Sequence, residues 1–286
     1  MATLRDVRRK IGSIKSTQTI TRTMRMISAS KLRRAQEELE KVNAYAVRME
    51  ELLKRIAGRI PEDAHPLLAA RQEITRVLLF PIASDRGLSG AFNMNVASAV
   101  ERFIEERRAN YERLGVYLVG RKIRDYLRRR RIETTREWVD VKSISPAVAG
   151  QMATELTDLY LAGEFDAVYL IYTHFHSALH QEVRIEEFLP LKTEKSARDM
   201  DYLYEPDVET IVDRFIPRYI LTKIYFALVE SQTSENAARM AAMENATNNC
   251  GEMINYLTLV YNKTRQQSIT NEMMDIVGGA EALQST

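Results

Sequence analysis

The sequence predicts an α+β chain: a long antiparallel coiled coil of the N- and C-terminal helices, with a central α/β layer between them. All seven prolines fall between positions 61 and 217, leaving proline-free ends of 60 and 69 residues. Proline breaks helix interiors, so its absence permits long helices. Each end also carries a sustained heptad seam, and the stretch between them alternates short apolar runs with amphipathic ones.

The N-terminal seam runs from Leu32 through Ala35, Leu39, Val42, Ala46, Met49, Leu53 and Ile56 to Ile60, spaced 3,4,3,4 throughout. In the same phase it extends back through Ser28, Arg25, Thr21 and Gln18 to Ile14, Ile11, Val7 and Leu4, with a polar patch in its middle. Sixty helical residues span roughly 90 Å. A compact globule of this chain length is only about 50 Å across. Helices of that length are therefore expected to leave the central body as a coiled coil, and inward-facing Gln18, Thr21 and Arg25 imply that the coil is sheathed or moves.

Between residues 70 and 190 the period changes. Ile74 to Phe80 reads as a buried strand and Asn93 to Arg108 as a helix. Gly115 to Val119 is a strand, Lys122 to Arg131 a helix, and Thr134 to Val139 a weaker strand. Pro146 to Leu161 is a helix with proline in its first turn. Asp166 to Thr173 and Gln181 to Leu189 are strands joined by a hairpin-like turn. Strands alternating with helices imply a mostly parallel sheet.

The C-terminal seam reads Val212, Phe215, Tyr219, Thr222, Phe226, Val229, Thr233, Asn236, Met240, Met243, Thr247, Cys250, Ile254, Leu257 and Tyr261. The predicted organisation is thus a helix over 1–60, an α/β domain over 61–206 and a second helix over 207–286. If both helices leave the domain together, the first ends opposite about residue 265, by equal rise along the two helices. The segment beyond, with Ile269, Met273, Met274, Ile276, Val277, Ala280, Ala282 and Leu283, is apolar nearly all round. Such a helix wants burial, which points to a hydrophobic socket in another protein, with fraying or membrane contact as the alternatives.

Composition excludes several classes. Hydrophobic residues make up 45% and charged residues 28%, values of a globular chain rather than a disordered one. The lone cysteine, Cys250, allows no intrachain disulfide. No apolar run approaches the ~20 residues of a membrane span. The net charge of +2 is unevenly spread. The first 35 residues hold ten bases and one acid, whereas Glu182 to Glu209 holds nine acids and four bases. Such blocks suit charged partners or a solvated helix face.

Three features are candidates for chemistry. Ser84 to Gly90 (SDRGLSG) follows the first strand and opens a helix, where a phosphate loop would lie. It lacks the G-x-G-x-x-G spacing and a following Lys-Ser/Thr, so it reads as a tight strand-to-helix turn. His174, His176 and His180 lie close in sequence. No cysteine or well-spaced acid completes a metal set, so they read as exposed imidazoles at a strand end. Arg128 to Arg131 has acids nearby and no interleaved aromatic platform, so it reads as a solvated face rather than a nucleic-acid site. With no recognisable catalytic arrangement, the residues favour a mechanical or assembly role. A scaffold, a nucleic-acid binder using the basic arm, and an α/β enzyme using the 84–90 turn stay open as other classes.

Both ends carry motifs of a known family. Ile11 to Leu32 (IGSIKSTQTITRTMRMISASKL) resembles the N-terminal motif of the gamma subunit of F-type ATP synthases, I-x-x-x-x-x-T-x-x-I-T-x-x-M-x-M-(I/V)-x-x-x-K-(L/M). Ser234 to Asn249 and Leu259 to Ile269 are similarly close, SDRGLSG is similar to the family's (S/T)-D-R-G-L-C-G, and Asp201 to Asp207 resembles its loop before the C-terminal helix. Ser89 stands where the family often has cysteine.

The resemblance covers essentially the whole chain and implies a shaft of two helices within a ring of three alpha and three beta subunits. The central domain would be Rossmann-like and bind no nucleotide, no cofactor and no nucleic acid. Its foot would rest on the c-ring beside the epsilon subunit, through Tyr202, Tyr204, Glu205 and Asp207. Shaft contacts with beta subunits would map to Met24, Arg239, Gln266 and Thr270, and the last ~20 residues to an apolar bearing, the all-round apolar helix inferred above. The implied protein is present in one copy per complex, peripheral to the membrane and without a catalytic site of its own. Because the shaft motif starts at once, the cytoplasmic face of a bacterial inner membrane is favoured over a mitochondrial or plastid system.

Overall fold

The computed structural model describes residues 3–57, 65–69, 71, 73–191 and 207–284. Its elements are α1 (Leu4–Ala57), β1 (Arg76–Pro81), α2 (Phe92–Arg107), β2 (Arg113–Val119), α3 (Arg121–Arg129), β3 (Arg136–Trp138), α4 (Pro146–Leu161), β4 (Ala167–Phe175), β5 (Gln181–Leu189) and α5 (Val208–Gln284). Each element predicted from the sequence is present, with ends shifted by a few residues. Two compact units result, Ser28–Arg239 and Met1–Ile27 with Met240–Thr286.

In the unit Ser28–Arg239 the five strands lie in the order β3-β2-β1-β4-β5. β1 pairs in parallel with both β2 and β4, β2 pairs in parallel with β3, and β4 pairs with β5 as an antiparallel hairpin. β1 is apolar at consecutive positions because both its faces are covered. Val77 and Leu79 face α2 and α3, meeting Val96, Val100, Ile123 and Leu127. Leu78 and Phe80 face the other way, toward Met152 and Leu156 of α4 and also toward α1 and α5.

That second layer is where the long helices do more than form a seam. Met49, Leu53 and Ile56 of α1 and Val212, Ile216, Ile220, Ile224, Ala227 and Leu228 of α5 belong to the same core as the sheet. α5 therefore buries a second apolar stripe beside its heptad positions. Each fully buried Leu or Ile contributes ~1.5–3 kcal/mol by removal from water, so this stripe holds the sheet to the helices. Within the unit α1 and α5 run antiparallel: Tyr225 Oη donates to Glu38 Oε1 at 3.0 Å, and Lys223 lies 3.6 Å from Glu50. Pro217, inside α5, is exposed.

The unit Met1–Ile27 with Met240–Thr286 is a two-helix coil. Thr3 caps α1 reciprocally with Asp6: the Asp6 N–H donates to Thr3 Oγ1 at 3.3 Å, and Thr3 Oγ1 donates to Asp6 Oδ2 at 2.7 Å. Leu4, Val7, Ile11, Ile14, Gln18, Thr21 and Arg25 are buried or half-buried, with exposed residues between most of them, so the seam continues through its polar patch. The polar members find partners inside the coil. Thr247 Oγ1 donates to Thr21 Oγ1 at 2.8 Å, Gln18 Nε2 to the Thr247 carbonyl at 3.3 Å, and Arg25 pairs with Glu244 at 3.0 Å. On α5 the half-buried positions end at Ser268, close to the predicted end of the helix pair. Ile269, Met273, Met274, Ile276 and Val277 beyond it are 48–72% exposed.

Asp166, at the entry to β4, fastens the open end of the sheet. It is 2% exposed. It accepts from the backbone N–H groups of Thr75 and Arg76 at 3.2 and 2.8 Å, from Arg76 Nη2 at 2.7 Å and from Arg71 Nη1 at 3.4 Å. Burial alone would raise its pKa, but the Arg76 guanidinium and the two N–H donors hold it down to about 2. A carboxyl with a depressed folded pKa lends stability above its unfolded value and loses it as pH falls toward the folded one. Asp166→Asn should therefore lower unfolding free energy by about 3 kcal/mol near neutral pH. Denaturant unfolding should show that gap narrowing as the medium is acidified from about pH 4 to about pH 2.

Candidate functional site

The SDRGLSG turn is built from its own side chains. Asn93, in the first turn of α2, accepts from the Ser84 N–H at 3.0 Å and from Ser84 Oγ at 2.9 Å, and donates to Ser89 Oγ at 3.1 Å. Asp85 accepts from the Arg121 N–H at 2.9 Å and the Val141 N–H at 3.2 Å, tying the turn to the ends of the neighbouring strands. Leu88 and Gly90 take positive φ, and Leu88 is 62% exposed at the tip. The chain thus crosses from β1 to α2 in a closed, self-bonded turn.

Arg239 of α5 grips this turn. Its side chain is 12% exposed, with Nε donating to the Gly87 carbonyl at 3.3 Å and Nη2 to Glu235 Oε1 at 2.5 Å. The sequence motif that contains Arg239 and the SDRGLSG motif are therefore joined by one guanidinium, a contact across 152 positions that no spacing rule reveals. In the coil unit, Met24 is half-buried on α1, whereas Gln266 and Thr270 are exposed on α5. These last two lie one turn apart, with Thr270 Oγ1 donating to the Gln266 carbonyl at 2.9 Å.

Of the proposed foot residues, Tyr202, Tyr204 and Glu205 lie outside the described residues. Asp207 caps α5, accepting from the Thr210 N–H at 2.7 Å and from Thr210 Oγ1 at 2.8 Å.

One sequence reading changes in detail. His176 and His180 are exposed at the strand end, but His174 is not: it is half-buried and its Nδ1 lies 2.6 Å from Glu230 Oε1. The reason is that α5 packs under β4, so one imidazole of the three points at the helix. Among the described residues no His, Cys, Asp and Glu group is arranged to hold a metal. The arginine run is a mostly exposed face laced with acids, Arg128 meeting Glu137 at 3.2 Å and Arg130 meeting Glu101 at 2.8 Å. Among the described residues no helix is long and apolar enough to cross a membrane.

A family model described as ATP synthase matches residues 3–283. The ATP synthase gamma chain of Anaeromyxobacter sp. (strain Fw109-5) is 46% identical, over 99% of this chain and 100% of the relative. That of Moorella thermoacetica is 42% identical over 99% and 100%. Among solved structures, the central stalk and c-ring of Tetrahymena thermophila mitochondrial ATP synthase includes a similar chain, with TM-score 0.62 and 26% identity over 79% of this chain and 99% of that one. A chain of the Euglena gracilis mitochondrial enzyme has the same fold, with TM-score 0.71 and 21% identity over 99% and 95%. The chain belongs to the ATP synthase gamma family.

The clamp is testable in the chain alone. Arg239→Ala should cost about 2 kcal/mol of stability, the range for a hydrogen bond to a charged group. It should also speed amide exchange at Gly87 to Gly90. Unchanged protection there would mean that the turn closes without Arg239.

Proposed function

We propose that this chain is the central rotor stalk of an ATP synthase. It couples ion-driven rotation of the membrane c-ring to the conformational cycle of the catalytic beta subunits. The observation that carries the reading is the end-to-end match to gamma chains together with the paired helices those chains require. One copy stands in a ring of three alpha and three beta subunits, with the epsilon subunit and the c-ring at its foot. It is peripheral to the membrane, on the cytoplasmic face in a bacterium, and contributes no catalytic site.

The mechanism follows from asymmetry. Three beta subunits of identical sequence differ only if something asymmetric touches them. A single two-helix shaft presents a different face to each, and shifts each site's open–closed equilibrium only by its differential contact energy in the two states. Rotation by a third of a turn permutes the three states. Torque from the ring thereby drives ATP release, and hydrolysis drives the reverse.

Met24, Gln266 and Thr270 serve as shaft contacts. The exposure of Gln266 and Thr270 supports that role. Arg239 contributes while tied to the 84–90 turn, so turn and helix bear load together. The exposed apolar stripe from Ile269 to Val277 suits an apolar bearing, since such a surface is stabilised by removal from water. Asp207, with Tyr202, Tyr204 and Glu205, belongs to the foot.

Mixing the chain with purified alpha and beta subunits tests the reading by native mass and Mg-ATP hydrolysis. The expected result is a complex of three alpha, three beta and one copy of this chain, with hydrolysis dependent on it. Failure to assemble with folded, matched partners would overturn it. The basic arm adds a second expectation. Arg5, Arg8, Arg9 and Lys10 are exposed, and screened surface pairs are worth only ~0–1 kcal/mol each. Reversing the charge of Arg8, Arg9 and Lys10 together should therefore weaken assembly by about tenfold at low salt and by less at high salt.

A further inference from the structure

The strand order places a reversal between β1 and β4: β2 and β3 lie on one side of β1, and β4 and β5 on the other. Open α/β sheets bind ligands at the carboxyl ends of the strands beside such a reversal. Here α5 occupies that place. The Ile82 N–H, just past β1, still donates to the Ile171 carbonyl of β4 at 2.8 Å. The next rung of a parallel ladder would join the Thr173 N–H to the Ile82 carbonyl. Both groups bond Ser231 of α5 instead: its Oγ accepts from the Thr173 N–H at 3.3 Å and donates to the Ile82 carbonyl at 3.5 Å. One turn on, Ser234 Oγ donates to the Thr173 carbonyl at 3.2 Å. Ser231, Ser234 and Thr173 are all buried.

We propose that Ser231 is a positioning residue that splices α5 into the sheet in place of a β1–β4 rung. It fixes the angle of the helix about its own axis, so that turning force passes between strands and helix. The use of that force rests on the rotor-stalk reading; the splice itself rests on the two bonds of one hydroxyl.

Apolar packing alone would set that angle loosely. Ile224, Ala227 and Leu228, just before the serines, are held by removal from water, which has no direction. Hydrogen bonds, by contrast, weaken steeply as their geometry is lost. A turn of about 20° moves an atom about 4 Å from a helix axis by about 1.4 Å, which breaks both bonds of Ser231 together. The Thr173 N–H and the Ile82 carbonyl would then be buried and unpaired, the costly arrangement. Ser234 resists the same turn through the carbonyl of Thr173, so both main-chain groups of one β4 residue are held by the helix.

Two measurements test this. In the full chain, the Thr173 amide should exchange about tenfold faster in Ser231→Ala than in the wild type. In Ile224→Val, which trims the apolar stripe and spares the hydroxyl, it should stay within about twofold of the wild type. Equal exchange in the wild type and Ser231→Ala would refute the splice. The second measurement uses the complex with alpha and beta subunits, its ring fixed to a surface and a bead attached through Leu179→Cys in a Cys250→Ser background. Leu179 is 90% exposed at the β4–β5 hairpin. With ATP absent, the angular variance of the bead should widen about 1.5-fold in Ser231→Ala and stay at the wild-type value in Ile224→Val. No widening, or equal widening in both, would overturn the role in passing force. A wild-type chain that fails to assemble would overturn the rotor-stalk reading and that role with it, while the Thr173 exchange still decides the splice.

Discussion

Between Val212 and Ala237, helix α5 must satisfy two neighbours at once. One side follows the heptad seam against α1. The other lies under the sheet, with Ile216, Ile220, Ile224, Ala227 and Leu228 in the core that also holds Phe80, Leu156 and Leu170. Without that second stripe only α4 would cover this face of β1 and β4, and a parallel sheet needs both faces covered. The sheet's core on that side is therefore shared between α4 and the long helices. Force applied to α5 here acts directly on the sheet.

The interface changes character at the C-terminal ends of β1 and β4. Glu230, Ser231, Ser234 and Arg239 follow the apolar stretch of α5 and meet backbone groups or side chains of β4 and of the 84–90 turn. Apolar contacts set how much surface is buried, whereas these directional contacts set where along the helix the strand ends sit. The same residues fall within the stretch SENAARM and just before it, which accounts for a run of small and polar residues in the middle of a buried helix.

Much of this was legible from spacing alone. A 3,4 repeat is the signature of one helix facing another, and Leu4 to Ile56 follow it into the structure without a break. ITRVLLF and DAVYLIYT are apolar at consecutive positions, as strands covered on both faces must be, and both are central strands. The second stripe of α5 was less legible, because Ile216, Ile220 and Ile224 overlap a heptad already assigned to α1. Contacts distant in sequence were not legible at all: nothing in the composition of residues 71–76 announces that Asp166 will gather their N–H groups and guanidinium groups. His174 likewise looked like its neighbours until the helix beneath β4 supplied Glu230. Of the site, the motifs were readable and their joining was not, since Arg239 reaches Gly87 only after the whole unit has closed.

The polar layer of the coil has a consequence for alignment. Thr21 and Gln18 of α1 meet Thr247 of α5, and Gly251 leaves room for the Gln18 amide, which would lie 3.3 Å from an added Cβ. Slide one helix by a heptad and Thr21 would face Met240 or Ile254, and the bond between the Thr21 and Thr247 hydroxyls would be lost. A uniformly apolar seam would tolerate that slip, because every heptad would resemble the next. The layer works as an index mark: it gives up some cohesion to make one axial setting unique, so that two long repetitive helices have a single zero point from which their length is measured.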